Sequence, residues 1–382
     1  MVIERILRPD ALVVWSYKEV RECLGWYYRV MINEKPAKFL ICKSIKCEEE
    51  NFSDLTLKEL WELHDCLRKE FKKKLEKIKR SEFSPDKLPC SSPNFLDVKV
   101  EIAKRMLKKC NFCVRNCGIN RERGERGFCG VGKLAVVSSY FHHFGEEAPL
   151  LGGGKWPVGG SGTIFFAGCN LRCVFCQNYD ISFNPENGVK VNAKQLARIA
   201  TELRDTGAAN INWVGGEPTP NLHIILESMK YIEVNVPMLW NSNMLCSPEA
   251  MELLLDVIDI WLPDFKFGNN KCANRLTGGG INYVETVLKN LKIAQENGDM
   301  IIRHLVMPNH IECCTKPILE MIAKELDKDR ILVNIMGQYR PMHLVNRYPE
   351  KYRDIARYPT PEEMEKAYKI AEKLGICFRP VS

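Results

Sequence analysis

From residue 158 onward, short apolar runs alternate with stretches of helical periodicity, and this alternation restricts the fold more than any other feature. The runs fall at 163–167, 210–214, 235–240, 257–262, 300–306 and 331–335. Helix-like stretches occupy 193–205, 221–230, 248–255, 282–297, 315–326 and 361–374. Short, continuously apolar runs suit strands buried on both faces, and strand–helix alternation predicts an α/β fold around a parallel sheet.

The first run leads into Gly168-Cys169-Asn170-Leu171-Arg172-Cys173-Val174-Phe175-Cys176, which sets three cysteines at C-x3-C-x2-C spacing with no fourth nearby. Three thiolates can hold three irons of a cubic [4Fe–4S] cluster and leave one iron open. An open position is also what separates a catalytic zinc from a structural one. A zinc knuckle or three unrelated buried thiols are the plainer readings. The run resembles the cluster motif of the radical S-adenosylmethionine (SAM) family. There the open iron binds the amino and carboxylate groups of SAM. The resemblance implies one-electron cleavage of the sulfonium and a 5′-deoxyadenosyl radical that abstracts hydrogen. It implies that Cys169, Cys173 and Cys176 ligate the catalytic cluster and that Phe175 lies beside the adenine. Six strand–helix units match the family's partial (β/α)6 TIM-like barrel, where chemistry gathers at the C-terminal ends of the strands.

Candidate residues recur at those ends. The second run closes on Trp213-Val214-Gly215-Gly216-Glu217-Pro218, similar to the family's GGE motif. Its glycines permit close backbone approach, and Glu217 can accept a hydrogen bond from the SAM amino group. A plain turn is the alternative. The third run ends in Asn241-Ser242-Asn243, where Asn243 could reach the ribose or the SAM carboxylate. The fourth ends in Leu262-Pro263-Asp264-Phe265-Lys266, similar to the Asp-x-Lys segment of pyruvate formate-lyase activating enzymes. By that resemblance Asp264 and Lys266 contact SAM, with Lys266 on its carboxylate. In the fifth, Arg303 and His304 alternate, so one of them faces inward; His304 is taken as the ribose or adenine contact.

Cys110, Cys113, Cys117 and Cys129 form a second set, C-x2-C-x3-C-x11-C. Four soft thiolates in twenty residues predict a metal knuckle, holding either zinc or an auxiliary Fe–S cluster. Arg121, Arg123 and Arg126 beside it read as solvated. His142, His143, Glu146 and Glu147 could bind metal or substrate, or simply form a polar strand-to-loop junction.

Composition narrows the setting. Seventeen cysteines, an odd number in clustered spacings, argue against a disulfide framework and fit reduced thiols in a cytoplasmic or anaerobic setting. Met1-Val2-Ile3-Glu4-Arg5 lacks the apolar core of a secretion signal, and no apolar stretch approaches the ~20 residues needed to span a bilayer. Leu57, Leu60, Trp61, His64, Leu67, Phe71, Leu75 and Ile78 recur at helical spacing, with His64 read as a core residue. The net charge of +7 is concentrated in Leu67–Arg80, where eight Lys/Arg face two acids. A solvated helix face or an RNA-docking surface would explain that segment. Ser84-Pro85-Asp86 and Pro89-Cys90-Ser91-Ser92-Pro93 read as a linker.

The expected organisation is a mostly helical accessory region over 1–100, a Cys-rich segment over 101–157 and a barrel over 158–382. Gly160–Phe166, Gly168–Asn178 and Gly215–Pro220 are similar to the branch related to pyruvate formate-lyase activating enzymes, with coverage of about 105–345. The extra cysteines precede the barrel, rather than following the first motif as in activases with ferredoxin-like inserts. The resemblance implies a SAM-dependent oxidoreductase with a [4Fe–4S] cluster. It implies an electron donor of ferredoxin or flavodoxin type and a protein or peptide substrate, with glycyl-radical activation as the specific case. Radical SAM modification of RNA or a small metabolite is the alternative within the family. A non-catalytic iron–sulfur electron carrier is the alternative outside it.

Overall fold

In the computed structural model, residues 8–81, 85 and 88–382 are described. The chain start at Met1–Arg5, and Ser84 and Asp86 of the expected linker, lie outside them. The strands are β1 (Ala135–His143), β2 (Ser161–Phe166), β3 (Val189–Val191), β4 (Ile211–Gly215), β5 (Met238–Ser242), β6 (Ile260–Pro263), β7 (Asp299–Leu305) and β8 (Leu332–Met336). Their order is β3-β1-β2-β4-β5-β6-β7-β8. From β2 to β8 every pairing is parallel, six strands in all. β1 and β3 add an antiparallel flap at the β2 edge. The sheet does not close, and the expected partial (β/α)6 barrel is what forms. The far edge is covered by the chain's end, where Val333 and Ile335 donate backbone N–H groups to Cys377 O and Ser382 Oγ.

From residue 57 onward the α-helices of seven or more residues are α1 (Leu57–Arg80), α2 (Phe95–Met106), α3 (Ala193–Asp205), α4 (Leu222–Met229), α5 (Pro248–Leu254), α6 (Asn270–Thr277), α7 (Tyr283–Asn297), α8 (Lys316–Glu325) and α9 (Pro361–Leu374). Several start on reciprocal caps: Thr56 with Glu59, Asn94 with Asp97, Asn192 with Gln195 and Thr360 with Glu363. α1 buries the stripe Leu60, His64, Leu67, Phe71, Leu75 and Ile78. Among the described residues, no helix is long and apolar enough to cross a membrane.

The strands alternate between two apolar layers. Met238, Trp240, Trp261, Ile302 and Val333 face outward into the helix layer. Leu239, Ile260, Leu262, Ile301 and Leu332 face inward. At the strands' N-terminal ends the interior is filled by Trp15, Leu24, Tyr27 and Met31, from short helices between Pro9 and Lys43. Tyr27 N–H donates to Asp299 Oδ2 (2.7 Å) and Trp26 Nε1–H to Asp259 Oδ1 (2.8 Å), fixing this plug to β7 and to the residue before β6. α1 and α2 pack on each other outside the helix layer, α2 against α4 and α5, and Lys99 of α2 is fully buried. Its Nζ donates to Asp256 Oδ2 (2.8 Å) and lies 3.0 Å from His64 Nε2. The expectation that His64 is a core residue holds: its ring is fully buried against Trp61 and Phe95.

Candidate active site

Above the apolar plug lies a polar layer. Parity decides its members: Arg303 is in phase with Ile301 and points inward, whereas His304 is in phase with Ile302 and points outward. The Arg303 guanidinium grips Glu147 through Nε–Oε1 (2.7 Å) and Nη2–Oε2 (2.6 Å), and Nη2 also meets Glu146. Asn334 donates to Glu147 Oε1 (2.7 Å), Asn212 to Glu146 Oε1 (3.0 Å), and His143 Nδ1 lies 3.0 Å from Glu146 Oε1. Burial opposes the Glu146 charge, but Arg303 and His143 override it and hold the carboxyl down at about 2. The segment 142–147 therefore divides. His143, Glu146 and Glu147 join this interior network. His142 turns the other way, to Gly159 O and Thr206 Oγ1.

The polar layer floors a cavity of about 240 Å³ at the C-terminal ends of the strands. Cys169, Cys173, Phe175 and Cys176 line one wall, and Gly215, Gly216 and Glu217 another. Asn243, Asp264, Lys266 and Arg303 line it as well. Ten of the eleven residues expected at the cofactor site thus surround one space. His304 is the exception and corrects the sequence expectation. It is fully buried behind the strand, with Nδ1 2.9 Å from Phe265 O and Nε2 2.9 Å from Thr315 Oγ1. Arg303 takes the inward place assigned to it. Both faces of β7 are apolar, so the sequence carried no parity signal there.

Burial pushes the three thiols up: Cys173 is pushed up to about 12 by burial and then by Cys176, Cys169 is raised by burial and then by Glu217, Cys173 and Cys176, and Cys176 is raised by burial. Bare thiols here stay protonated, so a positive metal group is what would hold them as thiolates. The Leu171 N–H donates to Cys169 Sγ at 3.4 Å. Lys266 Nζ pairs with Asp264 Oδ2 at 2.5 Å. Burial works against the lysine's charge, yet Asp264 and the adjacent Cys173 hold its pKa above the usual lysine value. Phe175 is buried, 5.6 Å from the Tyr339 ring. The donor set and the lone ammonium beside it fit a cluster with one ligand-binding vertex.

Glu217 and Asn243 are already engaged by protein. Glu217 Oε1 accepts from Thr219 Oγ1 (2.5 Å), Ser242 Oγ (2.6 Å) and Thr219 N (3.2 Å). Glu217 Oε2 accepts from Asn243 N (3.0 Å) and retains acceptor capacity. Asn243 donates to Asn170 Oδ1 (2.7 Å) and accepts from Leu245 N (3.0 Å). Glu217 ties the ends of β4 and β5 together, and Asn243 ties the end of β5 to the cysteine loop.

The second set also converges. Burial, then Cys129 and Cys110, push Cys113 up to about 12, and Cys117 feels Cys110 and Cys129. The knuckle abuts the first loop: Arg115 Nε donates to Asn170 O (3.1 Å), and Arg115 Nη1 to Gly279 O (2.7 Å). Arg121, expected to be solvated, is fully buried. It donates to Pro220 O (2.8 Å) and sets Nη1 3.9 Å from Cys110 Sγ.

Comparison with known proteins agrees with this geometry. The family model of the radical SAM superfamily matches residues 163–322. The "Uncharacterized protein MJ0674" of Methanocaldococcus jannaschii is 45% identical over 359 residues, 92% of this chain and 98% of that protein. A "Putative glycyl-radical enzyme activating enzyme" of the same organism is 26% identical, covering 57% of this chain and 87% of its own. The pyruvate formate-lyase-activating enzyme of Clostridium pasteurianum is 22% identical, covering 55% and 82%. The chain belongs to the radical SAM superfamily. Its class is that of the radical SAM enzymes, and the family's cofactors are a [4Fe–4S] cluster and SAM.

Proposed function

We propose that Cys169, Cys173 and Cys176 hold the catalytic cluster and that the enzyme abstracts hydrogen from a protein or peptide substrate, with a glycyl-radical enzyme as the specific partner. The observation that carries the reading is the single cavity in which three buried thiols, a charged Lys266 and the free acceptor capacity of Glu217 meet. Bound there, the cluster and SAM supply one-electron cleavage of the sulfonium and a 5′-deoxyadenosyl radical. Lys266 orients the SAM carboxylate, Glu217 accepts from its amino group, and Phe175 packs beside the adenine. Asp264 fixes Lys266. The Arg303–Glu146–Glu147 layer closes the floor against water. A ferredoxin- or flavodoxin-type donor delivers the electron.

The protein-substrate reading is favoured by the two activating-enzyme relatives, each matched over most of its length. The RNA reading draws on the basic half of α1. That half lies beside Asp256 and Asp299, at the opposite end of the barrel from the cavity. Reconstituted protein, incubated without oxygen with dithionite and SAM, should yield 5′-deoxyadenosine and methionine. Cys173→Ala should yield neither, with the fold intact by circular dichroism. Absence of both products from the wild-type protein would leave the electron-carrier reading standing. For the substrate, deuterated candidate proteins should label the deoxyadenosine; label from an RNA in a salt-sensitive complex would overturn the protein assignment.

We read the Cys110, Cys113, Cys117 and Cys129 set as an auxiliary iron–sulfur site. Among the described residues, no three of these sulfurs come within 4.8 Å of one another. A tetrahedral ion with Zn–S of about 2.3 Å would set them about 3.8 Å apart. Iron and sulfide analysis of the Cys169→Ala/Cys173→Ala/Cys176→Ala variant tests this. Zinc in place of iron would refute it.

A further inference from the structure

Cys272, Cys313 and Cys314 belong to neither set, and no spacing motif joins them. The fold brings them together: all three are free thiols, and their Sγ atoms lie within 4.8 Å of one another. Cys272 and Cys313 are 4.0 Å apart, and Cys313 and Cys314 are 3.9 Å apart. These separations are close to the ~3.8 Å edge of a tetrahedral zinc–thiolate site.

Local structure is arranged for this convergence. Consecutive side chains on an α-helix diverge, but Cys313 and Cys314 sit in a π-helical turn, Ile311–Thr315, ahead of α8. Such turns are rare and concentrate at functional positions. Asn269 caps α6 by accepting from Cys272 N (2.8 Å), and its own amide Nδ2–H donates to Cys272 Sγ (3.3 Å) and Cys313 O (2.7 Å). A side chain at Gly268 would come within 2.6 Å of Cys314 O, so the two loops meet only because this residue is glycine. The Asn269 amide aimed at the Cys272 sulfur is an outer-shell partner of the kind that orients metal ligands.

We propose that Cys272, Cys313 and Cys314 bind one zinc ion, with the fourth position open on the solvent side beside exposed Cys313. On binding, three S–H groups release their protons to solvent and three Zn–S bonds form, so affinity rises with pH. The ion clips the loop after β6 to the loop after β7. The first of these carries Asp264 and Lys266, so the clip steadies the wall of the SAM cavity without touching SAM. The site stands whether or not the proposed substrate is right.

The test uses the oxygen-free holoprotein, with and without one equivalent of zinc. Cys313 alkylation by iodoacetamide, followed by mass spectrometry, should slow by about tenfold or more with zinc and recover on chelation. Cys272→Ser should remove the protection. Cys313→Ser should carry one zinc fewer per chain than wild type while iron content is unchanged, and the KM for SAM should rise more than kcat falls. Three results would overturn the proposal: equal alkylation rates with and without zinc, equal zinc content in wild type and Cys313→Ser, or a Cys272–Cys313 or Cys313–Cys314 disulfide in oxygen-free material. Alkylation is read on the wild-type chain, so a folding defect in a variant does not shelter the idea.

Discussion

Gly215 shows how strictly single positions at the cavity are constrained. Its φ of 129° lies where side chains are rarely accommodated, and a Cβ there would overlap the backbone N and O of Phe166. Those atoms are held in the β2–β4 ladder and have nowhere to move. Gly215→Ala should therefore cost about 3 kcal/mol or more, read as a lowered midpoint in thermal unfolding. Lys266 makes a different prediction. It is the ammonium beside the three cysteines, so Lys266→Met should weaken SAM binding by about tenfold, roughly one charge-assisted contact. Isothermal titration should show that loss while iron content stays at the wild-type level; a lost cluster would instead make Lys266 structural. Both residues were legible in the sequence because motif and strand end coincide. Arg303 was not: two adjacent polar residues in a strand with two apolar faces give no cue to which turns inward.

At the scale of elements, Lys99 joins α2 to the segment after α5. With Asp256 it forms a buried ion pair at 2.8 Å, with side-chain exposures of 0% and 2%. Lys99→Met leaves the buried Asp256 carboxylate with Arg68 as its remaining cation, Nε 3.3 Å from Oδ1, so the change should cost about 3 kcal/mol in urea unfolding. Lys99→Met/Asp256→Leu should recover most of it, since neither charge of the pair then remains buried and Arg68 keeps Glu252. A double variant as unstable as the single would show that the lysine's bonds to Glu252 O and Leu253 O matter more. Helical periodicity announced α1, and capping residues set its start at Leu57. β1 went unread as a strand because its outer half is exposed and its sequence, Ser138-Ser139-Tyr140-Phe141-His142-His143, alternates neither cleanly nor apolarly.

Across the whole molecule, the first forty described residues are the barrel's floor. Asp299 at the start of β7 is the fastening: it accepts from Tyr27 N, and burial pushes its carboxyl up to about 7 despite the Tyr27 and Trp26 amides and nearby Lys38. Its ordinary value is 3.8, so between pH 4 and 7 the unfolded chain releases this proton while the folded chain retains it. Stability from this group therefore falls as pH rises through that window and is level above it. Asp299→Asn should flatten the wild-type decline between pH 5 and 7, measured as urea midpoints. An unchanged slope would assign the pH dependence elsewhere.

The sequence by itself determined the class of fold, the order of its units and the cysteine loop proposed to hold the cluster. These follow from periodicity and from three cysteines close together in the chain, and both are local. Tertiary structure alone decided that Arg303 rather than His304 faces the cavity, and that Arg121 is buried. It also decided that Cys272 meets Cys313 and Cys314 across 41 residues of chain. The physical reason is common to all three. Which face of a strand is interior, what a charged side chain is buried against, and which distant loops touch are set by packing between elements, and no short-range pattern encodes it.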